Sequence, residues 1–194
     1  MTKRSIGNRQ KKIVAARFAR GGERFPRPSP PKYPRGKTPA DRTDAGWTVR
    51  PVTRSDAGAW VRLREALWPD GSESDHRADV EKFFEGGSGQ LAEALIARDS
   101  RGDAIGFAEL SIRPYAQGCR TDRVAFLEGW YVAPGGRRRG VGRALVNAAE
   151  RWARAQGCTE FASDREAANA EAGAAHLSLG FEEVGSVVCY RKDL

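Results

Sequence analysis

The chain has 194 residues, 40% hydrophobic and 30% charged, a balance suited to one soluble globular domain with length to spare. No run of about eighteen apolar residues occurs, and the apolar stretch 13–19 is interrupted by Arg17, so neither a membrane span nor a signal peptide is expected and the protein is read as cytoplasmic. The net charge of +8 is unevenly placed: residues 1–46 hold thirteen Lys and Arg against three Asp and Glu, residues 47–194 twenty against twenty-two, so nucleic acid is expected to attach at most weakly, through the basic end.

Residues 1–46 read as a disordered basic tail. The prolines of 26–39 block helix and sheet, and too few apolar residues remain to offset chain entropy. A compact domain is expected over 47–194. It opens on a strand at 47–52. A helix follows, with Ser55 and Asp56 as cap residues and Ala59, Trp60, Leu63 and Leu67 at helical spacing, broken at Trp68-Pro69-Asp70-Gly71. A second helix is predicted over 75–85, ahead of a flexible Gly-Gly-Ser-Gly at 86–89. Strands at 94–99 and 104–113 flank a turn, and a loop with Tyr115 and Gly118 leads to a strand at 124–132. The next helix runs to about residue 156 and places Val141, Leu145, Ala148 and Trp152 on one face. A strand at 158–163, a helix at 167–179 ended by Gly180, and a last strand at 184–191 complete the chain. The expected class is α/β, a mixed central sheet flanked by helices. Cys119, Cys158 and Cys189 are odd in number and widely spaced, which argues for reduced thiols and against a metal site.

The most informative segment is Arg137-Arg138-Arg139-Gly140-Val141-Gly142-Arg143, which follows a buried strand and opens a helix. A helix start offers unpaired N–H groups and the positive end of its dipole. Glycines at 140 and 142 admit close approach, and the guanidinium groups add positive charge, so the segment suits a pyrophosphate. The spacing fits neither a Walker loop nor a dinucleotide fingerprint.

Val132-x-Pro134-x-x-Arg137-Arg138-Arg139-Gly140-Val141-Gly142 resembles the pyrophosphate-binding signature of the GNAT acyl-CoA N-acyltransferases, and Leu179-Gly180-Phe181 resembles the closing motif of the same fold. Leu67-Trp68-Pro69, Ser111-Ile112-Arg113, Phe126-Leu127-Glu128-Gly129, Ala162-Ser163-Asp164 and Leu179 to Glu183 are similar to aminoglycoside 6′-N-acetyltransferases, in that order along the domain. The resemblance implies an N-acetyltransferase that uses acetyl-CoA, needs no metal, acts on the 6′-amino group of a polycationic antibiotic, and forms a homodimer.

It also implies roles. Trp130, Tyr131 and Val132 present backbone groups to the cosubstrate. Arg137, Arg138, Arg139, Gly140, Val141, Gly142 and Arg143 hold its phosphates, and Asn169 contacts it. Glu128 is the expected proton acceptor, with Asp164 anchoring neighbouring amines, and Trp68 and Tyr115 line the sugar site. His176 stands where many relatives have a tyrosine that protonates the leaving thiolate. Gly185 stands where an acidic substrate contact is expected, and the loop around Tyr115 is one residue short. Two alternatives stand beside this reading: an acetyltransferase for another amine, which shares the cosubstrate features, and a non-catalytic module that binds RNA together with the basic tail.

Overall fold

The computed structural model describes residues 41–43, 46–86 and 90–193. The expected tail falls mostly on residues 1–40, 44 and 45, and the expected flexible linker on 87–89; both lie outside the described residues. The elements run β1 (Asp41–Thr43), β2 (Trp47–Pro51), α1 (Ala57–Leu67), α2 (Glu73–Phe84), β3 (Glu93–Asp99), β4 (Ala104–Arg113), β5 (Val124–Val132), α3 (Val141–Ala155), β6 (Glu160–Ser163) and α4 (Ala170–Ser178). The six strands form one sheet in chain order, antiparallel from β1 to β5 and parallel between β5 and β6. The parallel pair is bridged by α3, the crossover that such a pair requires.

Two boundaries correct the sequence reading. The strand β1 lies inside the stretch read as tail, paired with β2, so the sheet begins upstream of Trp47. The last strand, expected at 184–191, is not formed among the described residues. The segment runs outside the sheet, with Val187, Val188 and Tyr190 exposed by 70, 73 and 81%. Strand-like alternation is a property of one chain segment, but a strand also needs a partner for its N–H and C=O groups, and none among the described residues meets this one.

Each face of the sheet has its own helices. α3 packs on one face, where Val141, Leu145, Ala148 and Trp152 are all buried, against Val49, Leu95, Leu110 and Leu127. α1 and α2 cover the other, where Trp60, Val80 and Phe83 meet Ile96 and Phe107. α1 ends because Pro69 follows: Trp68 adopts φ −128°, ψ 71°, outside the helical region that a residue before proline avoids. α2 begins at Ser72, whose hydroxyl accepts from the Asp75 N–H, and carries Glu73 and Asp75 in its first turn.

The start of α1 is held by Asp56, buried at 1% exposure. Its carboxylate accepts from Arg50, Arg98, the Thr53 hydroxyl and the Thr53 N–H at 2.6–3.0 Å. Burial alone raises its pKa; the hydrogen bonds from Arg50, Thr53 and Arg98 outweigh that and hold the carboxyl well below the usual carboxylate range. A folded-state pKa depressed in this way adds stability above the unfolded pKa and loses it as pH falls. Asp56→Asn is therefore expected to cost about 3 kcal/mol at pH 7. In urea unfolding the gap from wild type should narrow as pH drops below about 4. An equal gap at both pH values would show that the charge is not the cause.

Candidate active site

β5 runs past β6. Their last pair is Leu127 with Ser163, so Glu128 to Val132 project beyond the parallel neighbour and leave a cleft along that edge. On the other side of β5 the register to β4 shifts: Glu109 faces Gly129 and Leu110 faces Leu127. Glu128 is the extra residue of this bulge, which re-aims its side chain, as bulges beside functional sites do.

The Glu128 carboxylate is held from β4. Arg113 donates to it through Nε at 2.9 Å and Nη2 at 2.6 Å, and the Ser111 hydroxyl donates to Oε1. The Arg113 guanidinium lies 3.4 Å from the centre of the Phe126 ring. Asp164 follows β6 directly, on the cleft side. Desolvation raises its carboxyl pKa; Arg113 pulls it down, Glu128 pushes it up and His176 pulls it down, with the net direction upward. Asp164 thus has both Glu128 and His176 within electrostatic reach.

His176 is tied by both ring nitrogens. Nδ1 is 2.7 Å from the Ala172 carbonyl and so donates to it, while Nε2 lies 3.0 Å from the Ser163 hydroxyl. The ring also meets Trp130 and Phe181 edge-on, at 5.5 and 5.1 Å. The α4 end is a glycine stop: Gly180 has φ +89°, and Phe181 N–H donates to His176 O at 3.2 Å. Phe181 then folds back on Phe161 and His176, so the Leu179-Gly180-Phe181 motif pins the histidine.

Trp68 reaches β5 from the α1 side. It is stacked on His76 at 6.4 Å, meets Phe107 edge-on at 6.0 Å, and lies under the Arg64 guanidinium at 5.1 Å. A Cβ at Gly129 would stand 2.5 Å from its ring, so glycine beside Glu128 is what lets the indole reach β5. Tyr115 is 55% exposed in the loop after β4, its hydroxyl donating to Gln117 at 3.0 Å.

The expected phosphate loop has the shape the residues require. Pro134–Gly136 forms a short 3-10 turn, Arg138 and Gly140 adopt φ +57° and +84°, and α3 starts at Val141 without a side-chain cap. Arg137, Arg138, Arg139 and Arg143 are exposed around that open helix start. Arg137 Nε donates to Val132 O, Arg139 to Gly135 O and Arg143 to Ser178 O, at 3.1–3.2 Å, which ties the side chains to the rim. Gly142 is required by packing as well: a Cβ there would lie 2.9 Å from Trp130. An uncapped helix start among exposed guanidinium groups fits a pyrophosphate. Tyr131 and Val132 lead into the loop along the projecting part of β5.

Asn169 caps α4, its side chain accepting from the Ala172 N–H at 3.0 Å, so the helix begins at Ala170 and not at 167. The reading from sequence gave no role to Arg113, Ser163 or Gly129. The usable signal was the i, i+2 spacing of Ser111 and Arg113, which puts both on one face of β4. Among the described residues no cluster of His, Cys, Asp and Glu is arranged to hold a metal ion, and the three cysteines are unbridged.

The chain belongs to the acetyltransferase (GNAT) family, whose model matches residues 60–181. It is 52% identical over 151 residues to the aminoglycoside N(6′)-acetyltransferase type 1 of Klebsiella aerogenes, covering 78% of this chain and 99% of that relative. The enzyme of the same name from Serratia marcescens is 43% identical, covering 70% of this chain and 92% of the relative. Among solved structures, AAC(6′)-Iy in complex with the bisubstrate analogue CoA-S-monomethyl-acetylneamine superposes with a TM-score of 0.70 at 38% identity, covering 76% of this chain and 99% of that one. AAC(6′)-Ih from Acinetobacter baumannii gives a TM-score of 0.68 at 36% identity, covering 77% and 99%. The protein is an N-acetyltransferase of this family with acetyl-CoA as its cosubstrate.

Proposed function

We propose that the protein acetylates the 6′-amino group of aminoglycosides, and that this activity confers resistance to them. The observation that carries the reading is the pair of acids, Glu128 and Asp164, set beside the projecting half of β5 and walled by Trp68. A polycationic sugar needs carboxylates for its ammonium groups and an aromatic face for its rings. Bound acetyl-CoA supplies the activated acetyl group. The start of α3 with Arg137, Arg138, Arg139 and Arg143 holds its phosphates, and the backbone of Trp130, Tyr131 and Val132, on the part of β5 beyond β6, orients its chain. Glu128 takes the proton of the reacting ammonium, which makes the amine a nucleophile. Asp164 binds a neighbouring ammonium group, and Tyr115 closes the ring site from the loop. His176 keeps the Ser163 and Trp130 side of the cleft in place, and from there is the group nearest in role to a proton donor for the leaving thiolate. Asn169 contributes by fixing where α4 begins.

The test is thiol release from acetyl-CoA with a panel of aminoglycosides. Turnover of 6′-amino compounds and none of 6′-hydroxy analogues is expected. Absence of turnover with every drug, while CoA still binds, would overturn the reading in favour of another amine.

We place the enzyme in the cytoplasm. Its unbridged cysteines fit a reducing compartment, and no helix among the described residues is long and apolar enough to cross a membrane. We also read it as a homodimer. β6 pairs only with β5 among the described residues, and Val184, Val187, Val188 and Tyr190 stand exposed on the segment that follows α4. An unpaired sheet edge beside an unpaired strand-like segment is an arrangement that a second copy satisfies. Light scattering should give a dimer for the full chain and a monomer for a chain ending at Glu183; a dimer in both would place the interface elsewhere.

A further inference from the structure

Arg113 is fixed on two sides, and the carboxylate it holds is fixed from a third. Its fork grips both oxygens of Glu128, its plane lies on Phe126, and its neighbour two residues back, Ser111, donates to the same carboxylate. Only 21% of its side chain is exposed, and 16% of that of Glu128. A guanidinium that merely filled an empty cationic site would need neither the ring beneath it nor the serine beside it. Planar, bidentate and stacked, it is the arrangement that arginine forms where orientation matters.

The distribution of donors over the two oxygens is unequal. Oε1 accepts from the Ser111 hydroxyl and from Arg113 Nε, while among the described residues Oε2 accepts only from Arg113 Nη2. A carboxylate oxygen has two lone-pair positions, so Oε1 is filled and Oε2 keeps one open. The bulge at Glu128 supplies the direction of the side chain, and the clamp removes its remaining torsional freedom.

We propose that Arg113 is a positioning residue for acetyl transfer: it fixes the Glu128 carboxylate on the bulge so that Oε2 is the atom that receives the ammonium proton. This rests on the acetyl-transfer reading above. In the step itself the N–H bond of the ammonium breaks, its electron pair stays on nitrogen, and the proton goes to Oε2. Nitrogen then forms its bond to the acetyl carbon as the carbon–sulfur bond to CoA breaks with its electron pair on sulfur, and the second proton that nitrogen loses goes to that thiolate, leaving the amide and CoA-SH. Arg113 makes and breaks no bond in this sequence; it holds the acceptor atom still.

The test is steady-state kinetics of wild type, Arg113→Gln, Arg113→Lys, Ser111→Ala, Glu128→Gln and the double variant Arg113→Gln/Glu128→Gln, on a 6′-amino acceptor. A misplaced base lowers kcat, so Arg113→Gln should lose on the order of 10- to 100-fold in kcat. KM for acetyl-CoA should stay within about twofold, as expected for a change confined to the transition state. Arg113→Lys keeps the charge without the fork and should recover part of the loss, and Ser111→Ala should lose a smaller factor. In the Glu128→Gln background Arg113→Gln should add nothing, because its effect passes through that carboxylate. A fall in acceptor KM with kcat unchanged would overturn the proposal and make Arg113 a competing cation. Independent, multiplying losses in the double variant would also overturn it. Should Arg113→Gln fail to fold, Ser111→Ala and Arg113→Lys read the same kcat loss, and an unchanged kcat in both would overturn it. Inactive wild type would instead refute the acetyl-transfer reading itself, whereas active wild type with indifferent Arg113 variants would refute only this inference.

Discussion

Replacing Glu128 with glutamine is expected to lower kcat by about 10²- to 10³-fold, the range that a positioned general base contributes. Glutamine keeps the size of the side chain and an acceptor oxygen for Arg113, so the sheet should not move. It loses the ability to take a proton, and it loses the charge that balances Arg113 across 2.6 Å. The acceptor amine then remains protonated and has no lone pair for attack. The loss should appear in kcat and in kcat/KM alike, since the missing interaction belongs to the transition state. Raising the pH should recover part of the rate as the free amine accumulates in solution. If Glu128→Gln kept full activity, the base would have to be sought at Asp164. Its carboxyl is the one in the cleft whose pKa is shifted upward, by desolvation first and by Glu128 against the pull of Arg113 and His176.

The parts of this site that were legible in the sequence are those written locally. The loop expected to hold phosphate is a strand, a glycine-rich turn and a helix in succession, and the helix shows its apolar face through Val141, Leu145, Ala148 and Trp152. The end of α4 was readable for the same reason: Gly180 at φ +89° is a local demand that glycine meets. The bulge at Glu128 was not readable, because it is a relation between two strands and exists only once Glu109 faces Gly129 and Leu110 faces Leu127. Arg113 was missed for a related reason. It stands fifteen residues from Glu128, across the loop of Tyr115, and nothing in its own neighbourhood says which acid it will meet. Asn169 was read as lying inside a helix; its side chain caps that helix and sets where it begins. The strand expected at 184–191 failed from the opposite side: its pattern is local, but its partner is not in the same described sheet.

The largest effect on stability is expected at Arg64, which lies on α1 at 2% exposure beside Trp68. It donates to Glu109, itself buried, and to Asp79 at 2.7 Å, while Trp60 Nε1 donates to the same Glu109 oxygen at 2.9 Å. Removing one member of a buried ion pair leaves the other charged and desolvated, so Arg64→Ala should destabilise the fold by about 3–5 kcal/mol. Arg64→Met with Glu109→Leu removes both charges and leaves apolar volume, and should recover most of that loss. The two substitutions separate structure from function. The Arg64 guanidinium also lies 5.1 Å from the Trp68 ring, and Trp68 N–H donates to Arg64 O at 2.8 Å, so α1 carries the wall through this residue. The double variant should therefore regain stability in urea unfolding yet keep a raised KM for the acceptor, with KM for acetyl-CoA unchanged. Full recovery of both would show that Trp68 is held by His76, Phe107 and Gly129 without help from the ion pair. A stable Arg64→Ala would show that Glu109 finds another partner once the arginine is gone.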